Sequence, residues 1–126
     1  MFSHVMVGAK DIDASKTFYD ATFAALGGKP AMADDKGRLI YMHNGGMFLV
    51  TLPINGEPAT HANGGTIGFA MASTEQADAW HAAGVAAGGT PCEDAPGVRE
   101  MGFGKLYLAY LRDPAGNKLC AMLKVD

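Results

Sequence analysis

The sequence predicts an α+β protein of two tandem β-α-β-β-β modules that form a curved mixed sheet around a cleft. Three observations lead to this prediction. A short apolar strand followed by a helix occurs twice, both helices end in alanines followed by Gly-Gly-x-Pro, and both halves finish with a hairpin. The modules are predicted at residues 1–52 and 65–126 of a single domain, with a linker at 53–64.

The first module begins with FSHVMVG, a short apolar segment rich in strand-forming residues. Asp11 or Asp13 can cap the helix that follows. Six residues recur with the spacing of one helical face: Ser15, Phe18, Tyr19, Thr22, Phe23 and Leu26. Asn-Gly between the apolar runs RLIYMH and MFLVTL predicts a hairpin at the end of the module.

The second module repeats this order of elements. TIGFAM predicts a strand, and the capping box from Ser73 to Gln76 starts a helix that passes Trp80 and ends at AAGGTP. The segments GKLYLAYLRD and NKLCAML then form a closing hairpin.

The turn of this last hairpin fixes which side chains face each other. The sequence from Asp113 to Gly116 fits a type I turn followed by a glycine bulge. If Asp113 pairs with Asn117, Tyr110 lies directly opposite Cys120, and both point to the same face of the sheet.

Composition limits the range of partners. The 126 residues carry a formal net charge of −3, and the basic residues are scattered, which argues against nucleic acid. No apolar run reaches the ~18 residues of a membrane span, and no secretory signal is recognisable at the N-terminus. Cys92 and Cys120 lack metal-site or redox-motif spacing; a disulfide between them stays open, although a reducing cytoplasm is the expected location.

The tandem repeat and its end motifs resemble the vicinal oxygen chelate superfamily of glyoxalases, bleomycin-resistance proteins and extradiol dioxygenases. HVMVGAKDIDASKTFYDATFAALG is similar to the first strand and helix of that family. YLRDPAGNKL is similar to its last hairpin, usually Asp-Pro-Asp-Gly-Asn, with Ala115 in place of the middle Asp. AAGGTPCEDAPGVRE resembles a glyoxalase-related branch, so the resemblance covers the whole chain.

The resemblance implies a cleft in which His and Glu residues from the first and last strand of each module bind a divalent metal. Such a metal accepts two neighbouring substrate oxygens and stabilises an enolate or oxyanion. Transferred one at a time, the four ligand positions fall on His4, Val50 or its neighbour, Thr66 and Cys120. This set suits an oxygen-preferring metal poorly, so no cofactor is expected; a divalent metal, if bound, is expected on His4 and Cys120.

Two residues are candidate catalytic groups. The resemblance implies that His4 acts as a base. Taken alone, the alternation of side chains along its strand fits a histidine that is hydrogen-bonded to a neighbouring residue. Tyr110 has a phenol that can hold a substrate oxygen or act as an acid; the alternative is an aromatic packing pair with the opposite strand.

Four further residues are candidate ligand-binding groups: Thr66, Cys120, Val50 and Arg99. Thr66 offers a hydroxyl, and Arg99 lies in a glycine-flanked loop from which it can clamp a carboxylate. Cys120 is predicted as a pocket wall rather than a nucleophile, because a reactive thiolate needs a nearby cation and only His4 is an obvious one. Eight methionines can floor an adaptable apolar cleft or simply fill the core.

Two function classes follow. The first is a lyase or isomerase similar to lactoylglutathione lyase, acting on a small carbonyl or thiol-adduct substrate. The second is a protein that binds and sequesters a small molecule without turnover, as bleomycin-resistance proteins do. The retained His4 favours the first, and the missing acids at Val50 and Cys120 favour the second. The expected partners are a small-molecule ligand and a second copy of the chain, the latter implied by the resemblance.

Overall fold

A computed structural model describes residues 1–126 as nine strands and two helices. The first half contains β1 (Val5–Gly8), α1 (Ile12–Ala25), β2 (Met32–Ala33), β3 (Leu39–His43) and β4 (Gly46–Thr51). The second half contains β5 (Ile67–Ala70), α2 (Thr74–Ala86), β6 (Thr90–Pro91), β7 (Gly97–Met101), β8 (Gly104–Arg112) and β9 (Lys118–Lys124). The predicted α+β fold class is confirmed, and the second half has one additional short strand, β6.

The strands form two separate mixed sheets rather than one continuous curved sheet. In the first, called the N-sheet, the order is β1-β4-β3-β2, and β1 runs parallel to β4. In the second, called the C-sheet, the order is β5-β9-β8-β6, β5 runs parallel to β9, and β7 also pairs with β8. The first strand and the last strand of each half therefore lie side by side.

The local signals that begin the helices act as the sequence predicts. Asp11 caps α1 by accepting hydrogen bonds from the amides of Asp13 and Ala14 at 3.0 and 3.1 Å. Ser73 caps α2 by accepting from the amide of Gln76 at 3.0 Å. Both caps satisfy amides that have no partner within the helix.

One core joins the two halves, because α1 and α2 pack against each other and against one face of each sheet. Its largest fully buried side chains include Phe18, Tyr19, Trp80 and Leu111. Gly84 permits this close packing: a Cβ there would lie 2.3 Å from Leu111 Cδ1 and 3.2 Å from Phe18 Cε1. Neither helix has the length and apolar character that crossing a bilayer requires.

A buried hydrogen-bond network ties the last turn to the first module. The Asp113 carboxylate accepts from the amides of Ala115 and Asn117, both at 2.9 Å, from Asn117 Nδ2 at 2.8 Å and from the Tyr19 hydroxyl at 2.6 Å. Asn117 Nδ2 also donates to the carbonyl of Gly8 at 2.9 Å. We call Gly8, Tyr19, Asp113 and Asn117 the intermodule clasp, because it joins β1 and α1 to the β8–β9 turn.

Candidate functional site

Each sheet has one face packed on the helices and one face turned away from them, which we call the open face. Alternation along the strands assigns the side chains to these faces. On the N-sheet the open face carries Met6, Gly8, Ile40, Met42, Met47, Leu49 and Thr51. On the C-sheet it carries Gly68, Ala70, Gly97, Arg99, Met101, Gly104, Leu106, Leu108, Tyr110, Arg112, Lys118, Cys120, Met122 and Lys124.

Methionines dominate the exposed apolar surface of the open faces. Met42 and Met47 are direct cross-strand partners and are 52% and 37% exposed, and Met6 is 40% exposed on the neighbouring strand. Met122 is 46% exposed on the C-sheet. Thioether side chains are flexible and polarisable, so this surface can adapt to apolar ligands of different shapes.

The predicted position of Val50 in the cleft is wrong. Val50 pairs with Val7 and Leu39, is completely buried, and faces the helices. Its neighbour Leu49 lies on the open face opposite Met6. The pairing of Leu49 with Met6 corresponds to that of Cys120 with Gly68, so Leu49 is the counterpart of Cys120 in the first module.

His4 and Thr66 each lie immediately before the first strand of a module, and both are exposed. The Nδ1 atom of His4 lies 2.8 Å from the Ser3 hydroxyl oxygen. Thr66 lines a cavity of about 300 Å³ between the starts of the two modules, together with Met6, His61 and Lys118. We call this cavity the joint pocket. No pattern in the sequence points to His61 or Lys118 as part of a site.

A second cavity, of about 270 Å³, is lined mainly by apolar side chains, including Phe23, Phe48 and Phe69. It lies between the end of α1, the β3–β4 hairpin and β5, and contains none of the predicted site residues. Thr66 thus lies at the joint pocket, and Tyr110, Cys120 and Arg99 lie on the C-sheet, whereas His4 lines neither cavity.

The predicted pairing in the last hairpin is confirmed. The Asp113 amide donates to the Asn117 carbonyl at 2.9 Å, Gly116 has a φ of 95°, and Tyr110 pairs with Cys120. The type I turn and glycine bulge thus place the phenol and the thiol side by side on the open face.

Cys120 is buried, and its thiol is held in the protonated form. Burial raises the pKa of Cys120, and the Glu93 carboxylate adds to the rise, whereas the charges of Lys118 and Arg99 oppose it. The cations near the thiol are therefore Lys118 and Arg99, and not His4 as the sequence suggested. A protonated, buried thiol is a weak nucleophile, in agreement with a pocket-wall position.

Tyr110 is also neutral at physiological pH. Burial raises its phenol pKa, and the neighbouring Cys120 and Glu93 raise it further, while Arg99 acts in the opposite direction. The Lys118 ammonium nitrogen lies 5.1 Å from the centre of the Tyr110 ring, within the range of a cation–π contact. Tyr110 can therefore donate a hydrogen bond to a ligand oxygen.

Glu93 lies in the loop before β7, and Arg99 lies in β7 itself rather than in a loop as the sequence predicted. The Arg99 guanidinium donates to the carbonyls of Asp94, Ala95 and Gly97 at 3.0, 3.1 and 3.0 Å. Arg99 therefore orders the loop, and most of its donors are already engaged by backbone oxygens. From this loop, the Glu93 carboxylate forms an ion pair with Lys118 on β9.

The two cysteines are free. The Cys92 amide bonds to the Tyr110 carbonyl on one side of β8, while Cys120 pairs with Tyr110 on the other side. Two strand spacings, about 10 Å, separate such positions, which exceeds the reach of a disulfide. The disulfide left open by the sequence is therefore excluded in this fold.

Both the sequence and the fold of this chain match known proteins. Residues 1–121 match the model of the Glyoxalase/Bleomycin resistance protein/Dioxygenase superfamily. The chain belongs to this superfamily. A crystal structure of a glyoxalase/bleomycin resistance protein from Albidiferax ferrireducens T118 is 59% identical, with a TM-score of 0.93 over 97% of this chain and 98% of that chain.

More distant superfamily structures show the same fold. A glyoxalase-related enzyme from Fulvimarina pelagi is 21% identical, with a TM-score of 0.70 over 97% of this chain and 87% of that chain. A family enzyme from Burkholderia phytofirmans PsJN is 20% identical, with a TM-score of 0.72 over 98% of each chain. No curated protein matches the sequence.

The superfamily's metal can be tested against the side chains that occupy its ligand positions. With the correction of Val50, these positions hold His4, Leu49, Thr66 and Cys120. No three His, Cys, Asp or Glu side chains cluster closely enough to hold a metal ion. One imidazole, one hydroxyl and one protonated thiol without a carboxylate do not fit a hard divalent cation.

Proposed function

We propose that this superfamily member binds and sequesters a small amphipathic molecule on its open faces, without turnover and without a resident metal. The observation that carries this proposal is the replacement of both acidic ligand positions, which hold Leu49 and Cys120. Without a carboxylate at either position, these two strands provide neither a charged metal ligand nor a strong base for abstracting a carbon-bound proton.

The remaining groups suit binding. The exposed methionines offer an adaptable apolar surface, on which burial contributes about 25 cal/mol for each Å². At the joint pocket, Thr66 and Lys118 supply hydrogen-bond donors, and Tyr110 supplies a neutral phenol nearby on the sheet. A ligand that matches both the apolar surface and these polar groups has one apolar end and one polar end.

The same apolar surface supports the proposal of a homodimer. Five methionines on the open faces are exposed in the single chain: Met6, Met42, Met47, Met101 and Met122. A second copy placed over this surface would cover them and enclose a ligand between two open faces. Light scattering of the purified protein, with and without a Met42→Glu substitution, measures this assembly directly.

A second candidate is a lyase or isomerase related to glyoxalases. The observation that favours it is the contact between His4 Nδ1 and the Ser3 hydroxyl at 2.8 Å. If Nδ1 donates in this contact, Nε2 keeps its lone pair and can act as a base. Tyr110 would then donate a hydrogen bond to the oxygen on which charge develops.

Metal content and turnover decide between the two candidates. Protein purified without chelators is expected to contain no stoichiometric nickel, zinc, manganese or iron, and these divalent ions are expected to leave its melting temperature unchanged. The hemithioacetal of methylglyoxal and glutathione should be recovered without enzymatic conversion. About one metal per chain, lost in His4→Ala but kept in the control His43→Ala, would contradict sequestration and support the enzyme.

A further inference from the structure

We propose that the polar end of the ligand is a carboxylate, and that the Glu93 side chain occupies its subsite in the free protein. This inference rests on the proposed binding function and names the class of ligand. The subsite is the Lys118 ammonium group, at the border between the joint pocket and Tyr110.

Lys118 is the cation available to a ligand at this position. It lies on the same face of β9 as Cys120, and its side chain is 23% exposed. Lys118 lines the joint pocket beside Thr66 and Met6, and its nitrogen lies over the Tyr110 ring. A ligand that follows the methionine surface into this pocket therefore meets an ammonium group at its polar end.

The neighbouring groups do not compete for an anion. Arg99 directs its guanidinium to three backbone carbonyls near its own strand. Arg112, the cross-strand partner of Lys118, donates from its guanidinium to the Gly116 carbonyl at 2.7 Å. The Cys120 thiol and the Tyr110 phenol are protonated, so neither repels a carboxylate. Glu93 is consequently the group that neutralises Lys118 in the free protein.

Glu93 is held in an unfavourable backbone conformation while it makes this contact. Its φ is 58°, in the left-handed region that residues with a Cβ atom rarely adopt. Its side chain is 45% exposed, and ion pairs with this much solvent access are weak. A carboxylate with an apolar tail can replace Glu93, because it makes the same ionic contact and also buries apolar surface.

Hexanoate and hexanamide provide the test, since they have equal size and differ in charge. Titration of ¹⁵N-labelled protein, followed by amide chemical shifts, detects millimolar binding and also locates it. The variants are Glu93→Gln, which removes the internal carboxylate, and Lys118→Met, which removes the ammonium. Lys124→Met is the matched control, because Lys124 is an exposed lysine on the same face of β9.

We expect both probes to shift amides of β8 and β9 in the wild-type protein. Glu93→Gln should bind hexanoate about two- to fivefold more tightly, the range that corresponds to an exposed ion pair, and hexanamide unchanged. Lys118→Met should lose the preference for hexanoate and keep hexanamide binding, whereas Lys124→Met should behave as wild type.

Two results would overturn the inference in distinguishable ways. Equal binding of acid and amide in the wild-type protein and in Glu93→Gln would refute the carboxylate subsite and leave the binding function standing. Absence of shifts on β8 and β9 with either probe, in every variant, would refute the subsite and also contradict the proposed binding surface.

Discussion

Replacement of Tyr19 by phenylalanine tests the intermodule clasp. The substitution removes the hydroxyl that donates to Asp113 at 2.6 Å, and it keeps the ring that packs in the core. Tyr19 and Asp113 are 1% and 4% exposed, so water cannot readily replace the lost donor. A hydrogen bond to a buried charged group contributes about 1.5–3 kcal/mol to the free energy of unfolding, and we expect a loss of about 2 kcal/mol.

The expected loss can be measured by thermal unfolding. With an unfolding entropy of about 2.1 cal/mol/K per residue, 2 kcal/mol lowers the melting temperature of a 126-residue chain by roughly 8 °C. Tyr41→Phe is the matched control, because the Tyr41 hydroxyl also donates to a carboxylate, that of Asp20, at 2.8 Å. Asp20 is more exposed and keeps its contacts with Lys16 and the Ala31 amide, so this control should lose about 1 kcal/mol or less.

The clasp also predicts a pH dependence. Burial raises the pKa of Tyr19 well above its ordinary value of about 10, and the Asp113 carboxylate raises it further. The unfolded chain thus releases this proton at lower pH than the folded chain does. The stabilisation is complete below pH ~10 and is lost as the pH rises above it, so Tyr19→Phe should flatten the alkaline decline. Equal destabilisation by Tyr19→Phe and Tyr41→Phe at neutral pH would refute the clasp as a strong contact between the modules.

Two other predictions concern a thiol and a glycine. At pH 7.5, iodoacetamide should modify the half-exposed Cys92 well before Cys120, because the buried Cys120 thiol has a raised pKa. Mass spectrometry of timed samples measures this order. Modification of Cys120 first would contradict its buried position. Gly84→Ala should lower the free energy of unfolding in urea, because overpacking costs about 1–3 kcal/mol and better helix propensity returns about 1. A Cβ atom at position 84 would lie 2.3 Å from Leu111 Cδ1. In the control, Gly102→Ala, the added Cβ meets no atom within 4 Å, so the free energy of unfolding should not change.

Local sequence signals predicted most of the fold. Asp11 and Ser73 begin the helices because their side chains accept amides only two or three residues away. The Asp113–Gly116 turn fixes the number of residues between β8 and β9, and the pairing of Tyr110 with Cys120 follows from that count. Such predictions depend on short segments and need no knowledge of the rest of the chain.

The site was predicted less well, because its position depends on distant contacts. Val50 was placed by aligning two hairpins whose turns differ in length, and an error of one residue moves a strand side chain to the opposite face. The contact of Glu93 with Lys118 joins a loop to β9 and has no local signature. Arg99 was predicted to clamp a ligand carboxylate; the structure shows its guanidinium bonded to backbone carbonyls, which no residue pattern identifies.

The clasp has a consequence for the order in which the chain is made. Its hydrogen bonds connect residues that are 94 and 109 positions apart, so the Tyr19 hydroxyl and the Gly8 carbonyl meet their partners only when the last hairpin is synthesised. During translation, the first module therefore leaves the ribosome without the contacts that complete it. The β8–β9 hairpin therefore locks both modules together, and a fragment that ends before this hairpin lacks these buried hydrogen bonds.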